Sequence, residues 1–198
     1  MNAFNRPIAF QVSALARILA QSLPVSEALR RAEALDLPNW YLGAGCIAQT
    51  VWNHLSSKEL GCDINDLDLV YFDSADLSNN GEKKHASKVN EAFKEIPIRV
   101  DVKNQARVHL WYEERFGHPI KPYPTVEDAI NSWPTTATCV GVRTCEGSFI
   151  VYAPYGLNDL FGMIAKANKV QITEEIYLKK VERWKACWPK LTIVPWST

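Results

Sequence analysis

The feature that most constrains the fold is a short predicted strand that begins with two aspartates. Asp66 and Asp68 open the run 66–72, and a second predicted strand, 98–103, alternates apolar with polar residues and carries Asp101. Side chains two positions apart in a strand point to the same face, so Asp66 and Asp68 share a face. If the two strands pair, the three carboxylates lie together. Such a cluster suits a divalent metal ion and phosphoryl-type transfer.

The other periodic segments of the 198-residue chain predict an α/β fold in one domain. We expect a small mixed, twisted sheet flanked by helices, with the core in about 24–104 and the second wall of a cleft in about 105–198. Helices are predicted over 8–23, 26–37, 46–55, 85–95, 104–116, 158–165 and 173–188, and strands over 40–42, 66–72, 98–103, 135–143 and 148–153. Pro24 is expected to end the first helix.

A glycine turn joins the predicted strand 40–42 to the helix 46–55. Its residues are Gly43, Ala44 and Gly45. Free backbone N–H groups at the positive end of a helix dipole form an anion site, so we expect these three residues to bind phosphate. The turn lacks the rest of the dinucleotide fingerprint and the Gly-Lys-Ser/Thr of a P-loop, so neither of those motifs applies.

Charge and cysteine content narrow the class of partner. Lysine plus arginine equal aspartate plus glutamate, 22 against 22, which argues against a broad basic surface for long nucleic acid and against polybasic membrane attachment. The five cysteines are scattered, with no Cys-x-x-Cys pair, and we expect reduced thiols. No secretory signal or membrane span is visible, so a cytoplasmic location is expected.

Three carboxylates beside a phosphate-binding turn match the needs of a two-ion reaction on a nucleoside triphosphate. One ion would activate an attacking hydroxyl, and the other would bind the phosphates and stabilise the leaving pyrophosphate. Oxygen ligands favour Mg²⁺, with Mn²⁺ as a substitute. Lys103 and Arg107 follow the third acid and are expected to contact the nucleotide. Two alternatives stay open: Lys103, like Arg99, could pair with the carboxylates in the empty site, and the run 103–109 could be a solvated helix start.

The order of these elements resembles the nucleotidyltransferase core of the DNA polymerase beta superfamily. More narrowly, nearly the whole chain is similar to a bacterial family of predicted nucleotidyltransferases that was once catalogued only as a domain of unknown function. The runs that carry the resemblance are 44–52, 66–73, 100–109 and 153–160.

The resemblance implies that Asp66 and Asp68 are paired metal ligands, that Asp101 is the third, and that Gly43 and Gly45 form the phosphate loop. One departure is visible. The superfamily's second glycine is usually followed or replaced by serine, whereas this loop carries Ala44 and Cys46, so a serine contact to phosphate is not expected.

Three other interpretations stay open. An Asp-x-Asp pair alone can be a solvated strand entry. A chain with this fold can be a catalytically silent nucleotide-binding or partner-binding module, such as an antitoxin-like protein. The same acids can also serve a metal-dependent phosphodiester hydrolase. A calcium loop at 63–68 fails, because it lacks glycine at the sixth position and glutamate at the twelfth.

Overall fold

A mixed five-stranded sheet forms the centre of the protein in this computed structural model, which describes residues 2–198. The strand order is β3-β2-β1-β4-β5. Only the β2–β3 pair is parallel, and the other neighbours in this sheet are antiparallel. The strands are β1 (Tyr41–Gly43), β2 (Asp66–Tyr71), β3 (Arg99–Asn104), β4 (Gly141–Cys145) and β5 (Ser148–Tyr152). The predicted α/β fold with a small mixed sheet flanked by helices is confirmed.

The helices and a small second sheet complete the fold. The helices are α1 (Ile8–Gln21), α2 (Leu23–Glu33), α3 (Gly45–Leu55), α4 (Asn79–Phe93), α5 (Tyr112–Phe116), α6 (Val126–Asn131), α7 (Asn158–Phe161) and α8 (Glu174–Cys187). A 3₁₀ helix covers Gln105–Leu110, between β3 and α5. The second sheet pairs β6 (Ile164–Ala165) with β7 (Thr192–Ile193) in parallel.

The two faces of β2 meet different surroundings because side chains alternate along a strand. Leu67 and Leu69 are fully buried in the large core that also contains residues of α1 to α4. Val70 points the other way and belongs to a small second cluster with Tyr41 of β1 and Val126 of α6. Asp66 and Asp68 alternate in phase with Val70, so the acids lie on the face that the small cluster covers only in part.

The predicted strand 135–143 begins only at Gly141. Three other element boundaries differ from the sequence prediction for local reasons. Pro24 lies in the first turn of α2 rather than after α1, a position where its missing N–H costs nothing. Helix α4 begins at Asn79 because the hydroxyl of Ser78 accepts a hydrogen bond from the Gly81 amide at 3.0 Å. The predicted helix 158–165 ends after one turn, and its last residues form β6.

A membrane crossing requires a helix of sufficient length and hydropathy, and none of the described helices meets that requirement alone. The pair α1 and α2 meets it only when the two are joined, and they are bent by 99° relative to each other.

Candidate active site

Three of the predicted site residues form a row across three neighbouring strands. Gly43 at the end of β1 pairs in register with Asp68 of β2. Asp68 in turn pairs with Asp101 of β3. Residues in register on adjacent strands place their side chains side by side on one face. Gly43, Asp68 and Asp101 are therefore direct neighbours.

Asp68 lies at a position that is unfavourable for a negative charge. Burial, together with the nearby carboxylates of Asp66 and Asp101, raises the pKa of Asp68 from its ordinary value of 3.8 to about 7. The ammonium of Lys180 and the backbone amide of Gly45 oppose this rise in pKa. Asp68 thus lies in an electrostatic environment that added positive charge would improve.

The two flanking acids each pair with a cation from β3. Arg99 contacts Asp66 at 3.1 Å, and the Lys103 ammonium contacts Asp101 at 2.6 Å. The Arg99 side chain is 72% exposed, and the Lys103 side chain is 33% exposed. An exposed ion pair contributes little stability, so Arg99 can leave Asp66 at small cost. The structure therefore shows the pairing with carboxylates that the sequence left open for both cations.

The glycine turn is held in a strained conformation. Ala44 adopts φ 56° and ψ −127°, a region that residues with a side chain rarely occupy, and its N–H donates to the Val140 carbonyl at 3.0 Å. Gly43 is enclosed, since an added Cβ would lie 2.7 Å from the Trp133 ring. At Gly45 an added Cβ would meet only ordinary contacts, the nearest being the Gln49 amide nitrogen at 3.5 Å. Gly43 thus serves packing, while Gly45 leaves the start of α3 open.

Cys46 fills the place where the superfamily usually has serine. Its thiol is fully buried and donates to the Gly43 carbonyl at 3.1 Å. Burial raises the pKa of this thiol, so it stays protonated. Cys46 therefore stabilises the turn from within and does not face the cavity.

A cavity of about 430 Å³ lies against Asp66, Asp68 and the glycine turn, while Asp101 does not border it. This volume falls in the range of small-molecule sites, about 300 to 1,000 Å³. Asp66, Asp68, Ala44, Gly45 and Lys103 border it on the sheet side. The opposite wall is largely aromatic and cationic and comes from the later part of the chain, including Trp111, Arg115, Trp133, Lys180, Arg183 and Trp184.

Arg107 does not border this cavity, whereas the predicted nucleotide contacts Ala44, Gly45 and Lys103 do. Its guanidinium pairs with Glu82 at 2.6 Å and donates to the Leu77 carbonyl at 2.8 Å. The Arg107 side chain is 10% exposed and that of Glu82 is 14% exposed. Arg107 therefore ties β3 and the 3₁₀ helix to α4, and its position gives it a structural role instead of the nucleotide contact expected from the sequence.

Sequence reasoning missed the contribution of α8. Lys180, Arg183 and Trp184 all border the cavity and follow one face of that helix. Their spacing of three and four residues predicts a shared face. No sequence signal indicates that this face meets the acids, because the contact joins residues more than a hundred positions apart.

The donor set fits a hard divalent cation. Its atoms are carboxylate oxygens, which Mg²⁺ prefers, and the raised pKa of Asp68 reflects a local excess of negative charge. In the arrangement that residues 2–198 adopt, no group of three or more histidine, cysteine, aspartate or glutamate side chains could hold a metal ion. In this arrangement Arg99 pairs with Asp66 and Lys103 pairs with Asp101.

Comparisons with known proteins agree with this geometry. One solved structure, described as "The NMR structure of the protein reveals a CCA-adding enzyme head domain", shares the fold with a TM-score of 0.75 and 24% identity, covering 92% of this chain and 95% of that chain. Curated proteins give no match. The model of a family described as "Nucleotidyltransferase" matches residues 30–193. The chain therefore belongs to this nucleotidyltransferase family.

Proposed function

We propose that the protein is a Mg²⁺-dependent enzyme that moves a nucleoside monophosphate group from a nucleoside triphosphate to a hydroxyl of a small molecule or protein side chain. The observation that carries the proposal is the row of Gly43, Asp68 and Asp101 across three strands, next to a cavity that Asp66, Asp68 and Gly45 border. Membership of a nucleotidyltransferase family supports the reaction class.

Each group of the site has a separate role in this proposal. Asp66, Asp68 and Asp101 would hold Mg²⁺, or Mn²⁺ in its place, which when bound supplies Lewis-acid stabilisation of phosphate charge. The first amides of α3 have no partner within the helix, because four N–H groups at every helix start lack one. With Gly45 carrying no side chain, phosphate oxygens can approach these amides closely. Lys103, released from Asp101, would neutralise phosphate charge.

The bond changes follow from the reaction class. The acceptor hydroxyl loses its proton to solvent and its oxygen forms a bond to the α-phosphorus. The bond from that phosphorus to the bridging oxygen breaks, and pyrophosphate leaves. Little covalent chemistry falls to the protein, so positioning and charge stabilisation carry the catalysis. Aromatic side chains form much of the opposite wall, and their exclusion of water would strengthen the charge interactions within the site.

The acceptor is proposed to be small because of charge and size. The formal net charge is zero at pH 7, whereas long nucleic acids are bound by basic surfaces. The cavity of about 430 Å³ has the size of a small-molecule site.

The experiment follows an α-labelled nucleoside triphosphate in the presence of Mg²⁺ and a panel of hydroxyl acceptors, with pyrophosphate measured in the same samples. The proposal requires one pyrophosphate for each label transferred to an acceptor. Release of nucleoside monophosphate from a nucleic acid, with no triphosphate present, would instead indicate a phosphodiester hydrolase. Mg²⁺-dependent binding of a triphosphate with no transfer to any acceptor would indicate a silent nucleotide-binding module.

A further inference from the structure

Three cations that the sequence did not identify as site residues border the cavity without forming salt bridges. They are Arg115 of α5 and Lys180 and Arg183 of α8. Every other cation in the described chain that contacts the site, namely Arg99 and Lys103, is paired with one of its acids. Among residues 2–198, no salt bridge involves Arg115, Lys180 or Arg183. A cavity wall with three cations outside salt bridges suits a ligand that carries several negative charges.

Lys180 is the most constrained of the three. Its ammonium lies 5.3 Å from the centre of the Trp184 ring, which holds it by a cation–π contact. The side chain is only partly exposed. Burial and the like charge of Arg183 lower the pKa of Lys180, whereas Asp68 and Asp66 raise it. Lys180 is therefore close to the acids but does not pair with either of them.

Arg183 lies one turn further along α8 and is exposed. Helical spacing of three residues places it beside Lys180 on the same face. Two like charges at this spacing repel each other and destabilise a helix unless an anion lies between them. An arginine fork with a neighbouring lysine is well suited to non-bridging phosphate oxygens.

A purely structural role for Lys180, as compensation for the acids, is less consistent with these contacts. Such a role would be served by a direct ion pair, as Arg99 and Lys103 show within the same site. Lys180 instead contacts the ring of Trp184. Compensation of the acids by Lys180 would also leave Arg183 unexplained. Arg183 has the same charge as Lys180 and repels it.

We propose that Lys180 and Arg183 of α8 form the binding site for the β- and γ-phosphates of the donor triphosphate, opposite the acids that hold the α-phosphate end. The inference rests on the proposed function and adds the second wall of its donor site. It also orients the bound triphosphate, which extends from the glycine turn towards α8. The leaving pyrophosphate is then the group that α8 holds.

The test uses inorganic tripolyphosphate with Mg²⁺ as the probe, because its binding does not depend on the base. The full-length chain is compared with Lys180→Met, which keeps the side-chain stem on Trp184, and with Arg183→Met. Lys179→Met is the matched control, since Lys179 is an exposed neighbour on α8 that pairs with Glu175 at 3.0 Å and does not border the cavity. Calorimetry measures affinity, and thermal unfolding checks the fold. The four nucleoside monophosphates are measured in parallel.

We expect Lys180→Met and Arg183→Met each to weaken tripolyphosphate binding by about 10- to 100-fold, as loss of a charged hydrogen bond implies. Monophosphate binding and the Lys179→Met control should stay at the wild-type level, and Lys180→Arg should recover part of the loss. Unchanged tripolyphosphate affinity in both variants would overturn the inference. Equal losses for tripolyphosphate and monophosphates, or for Lys179→Met, would overturn it as well.

Failure of the proposed function gives a different pattern. If wild-type protein binds tripolyphosphate through Lys180 and Arg183 but transfers no label from any triphosphate to any acceptor, the α8 site stands and the transferase function fails. If labelled transfer occurs and neither variant affects tripolyphosphate binding, the function stands and the α8 site fails. Arg183→Met keeps the test decisive if Lys180→Met does not fold, because Arg183 is exposed.

Discussion

Asp68 and Asp101 lie directly opposite each other on the parallel strands β2 and β3. Two carboxylates in register repel each other when both are ionised. Asp66 lies two residues from Asp68 on the same face and adds a third carboxylate to this repulsion. Electrostatic cost concentrated at one point of a sheet is typical of a functional site, because such an arrangement gains nothing in stability.

The raised pKa of Asp68 predicts that stability falls with pH. In the folded state Asp68 keeps its proton up to pH about 7, whereas its ordinary pKa is 3.8. The folded state therefore binds more protons than the unfolded state between these values, so the free energy of unfolding decreases as pH rises through this window. The full penalty applies above pH 7 and is on the order of 2 to 4 kcal/mol.

Asp68→Asn isolates this effect. We expect the variant to be more stable than wild type at pH 8 and to lose the Asp68 part of the pH dependence, as urea unfolding at a series of pH values would measure. Mg²⁺ should reduce the difference in stability between the variant and wild type at pH 8, because it stabilises ionised Asp68, which only wild type has. A variant no more stable than wild type at pH 8 would contradict the electrostatic account of the site.

The two glycines of the turn should respond differently to alanine. Gly43→Ala puts a Cβ 2.7 Å from the Trp133 ring and the Val140 carbonyl, so we expect a loss of about 1 to 3 kcal/mol in stability. Gly45→Ala meets no contact closer than 3.5 Å and should keep wild-type stability but weaken triphosphate binding, since its Cβ lies on the phosphate side. Denaturant titration and calorimetry separate the two effects.

Gly61→Ala is the control for the glycine variants, since its nearest contact would be Pro24 Cγ at 3.7 Å. It should change neither property. Wild-type triphosphate affinity in Gly45→Ala would show that the start of α3 is not the phosphate site.

Ala44→Gly should stabilise the protein. Ala44 has φ 56°, and glycine reaches this conformation without steric cost. Relief of the strain should exceed the entropy that glycine adds to the unfolded chain, for a net gain of about 1 kcal/mol measured by urea unfolding. A loss of stability would mean that the Ala44 methyl group makes packing contacts that outweigh the strain.

Arg107→Met tests the structural role of Arg107. Removing one partner from the buried Arg107–Glu82 pair should cost about 3 kcal/mol or more of stability, because the Glu82 charge is left uncompensated. Triphosphate affinity of the folded protein should be unchanged. A marked loss of affinity without a loss of stability would instead restore the nucleotide contact that the sequence suggested.

Local pattern made much of this fold predictable. The alternation of Leu67 and Leu69 with Asp66 and Asp68 specifies which face of β2 is buried, and the structure follows it. The strand, glycine turn and helix around Gly43 also come from short-range signals. These features need only neighbours in sequence, so periodicity and turn chemistry report them directly.

Contacts between distant residues were not predictable in the same way. Lys180 and Asp68 are separated by more than a hundred residues, and nothing in the spacing of α8 indicates which surface its cationic face meets. Arg107 shows a further limit of local signals. Its place just after the third acid suggested a ligand contact, but the 3₁₀ turn directs it to Glu82 instead.

The most direct test of the central claim is pyrophosphate release from the four nucleoside triphosphates with Mg²⁺ and the acceptor panel, comparing wild type, Asp68→Asn and Asp36→Asn. Asp36 is exposed and does not border the cavity, so it controls for loss of one surface charge. We predict release by wild type and Asp36→Asn and a loss of about 100-fold or more in Asp68→Asn. Equal release by wild type and Asp68→Asn would contradict the account.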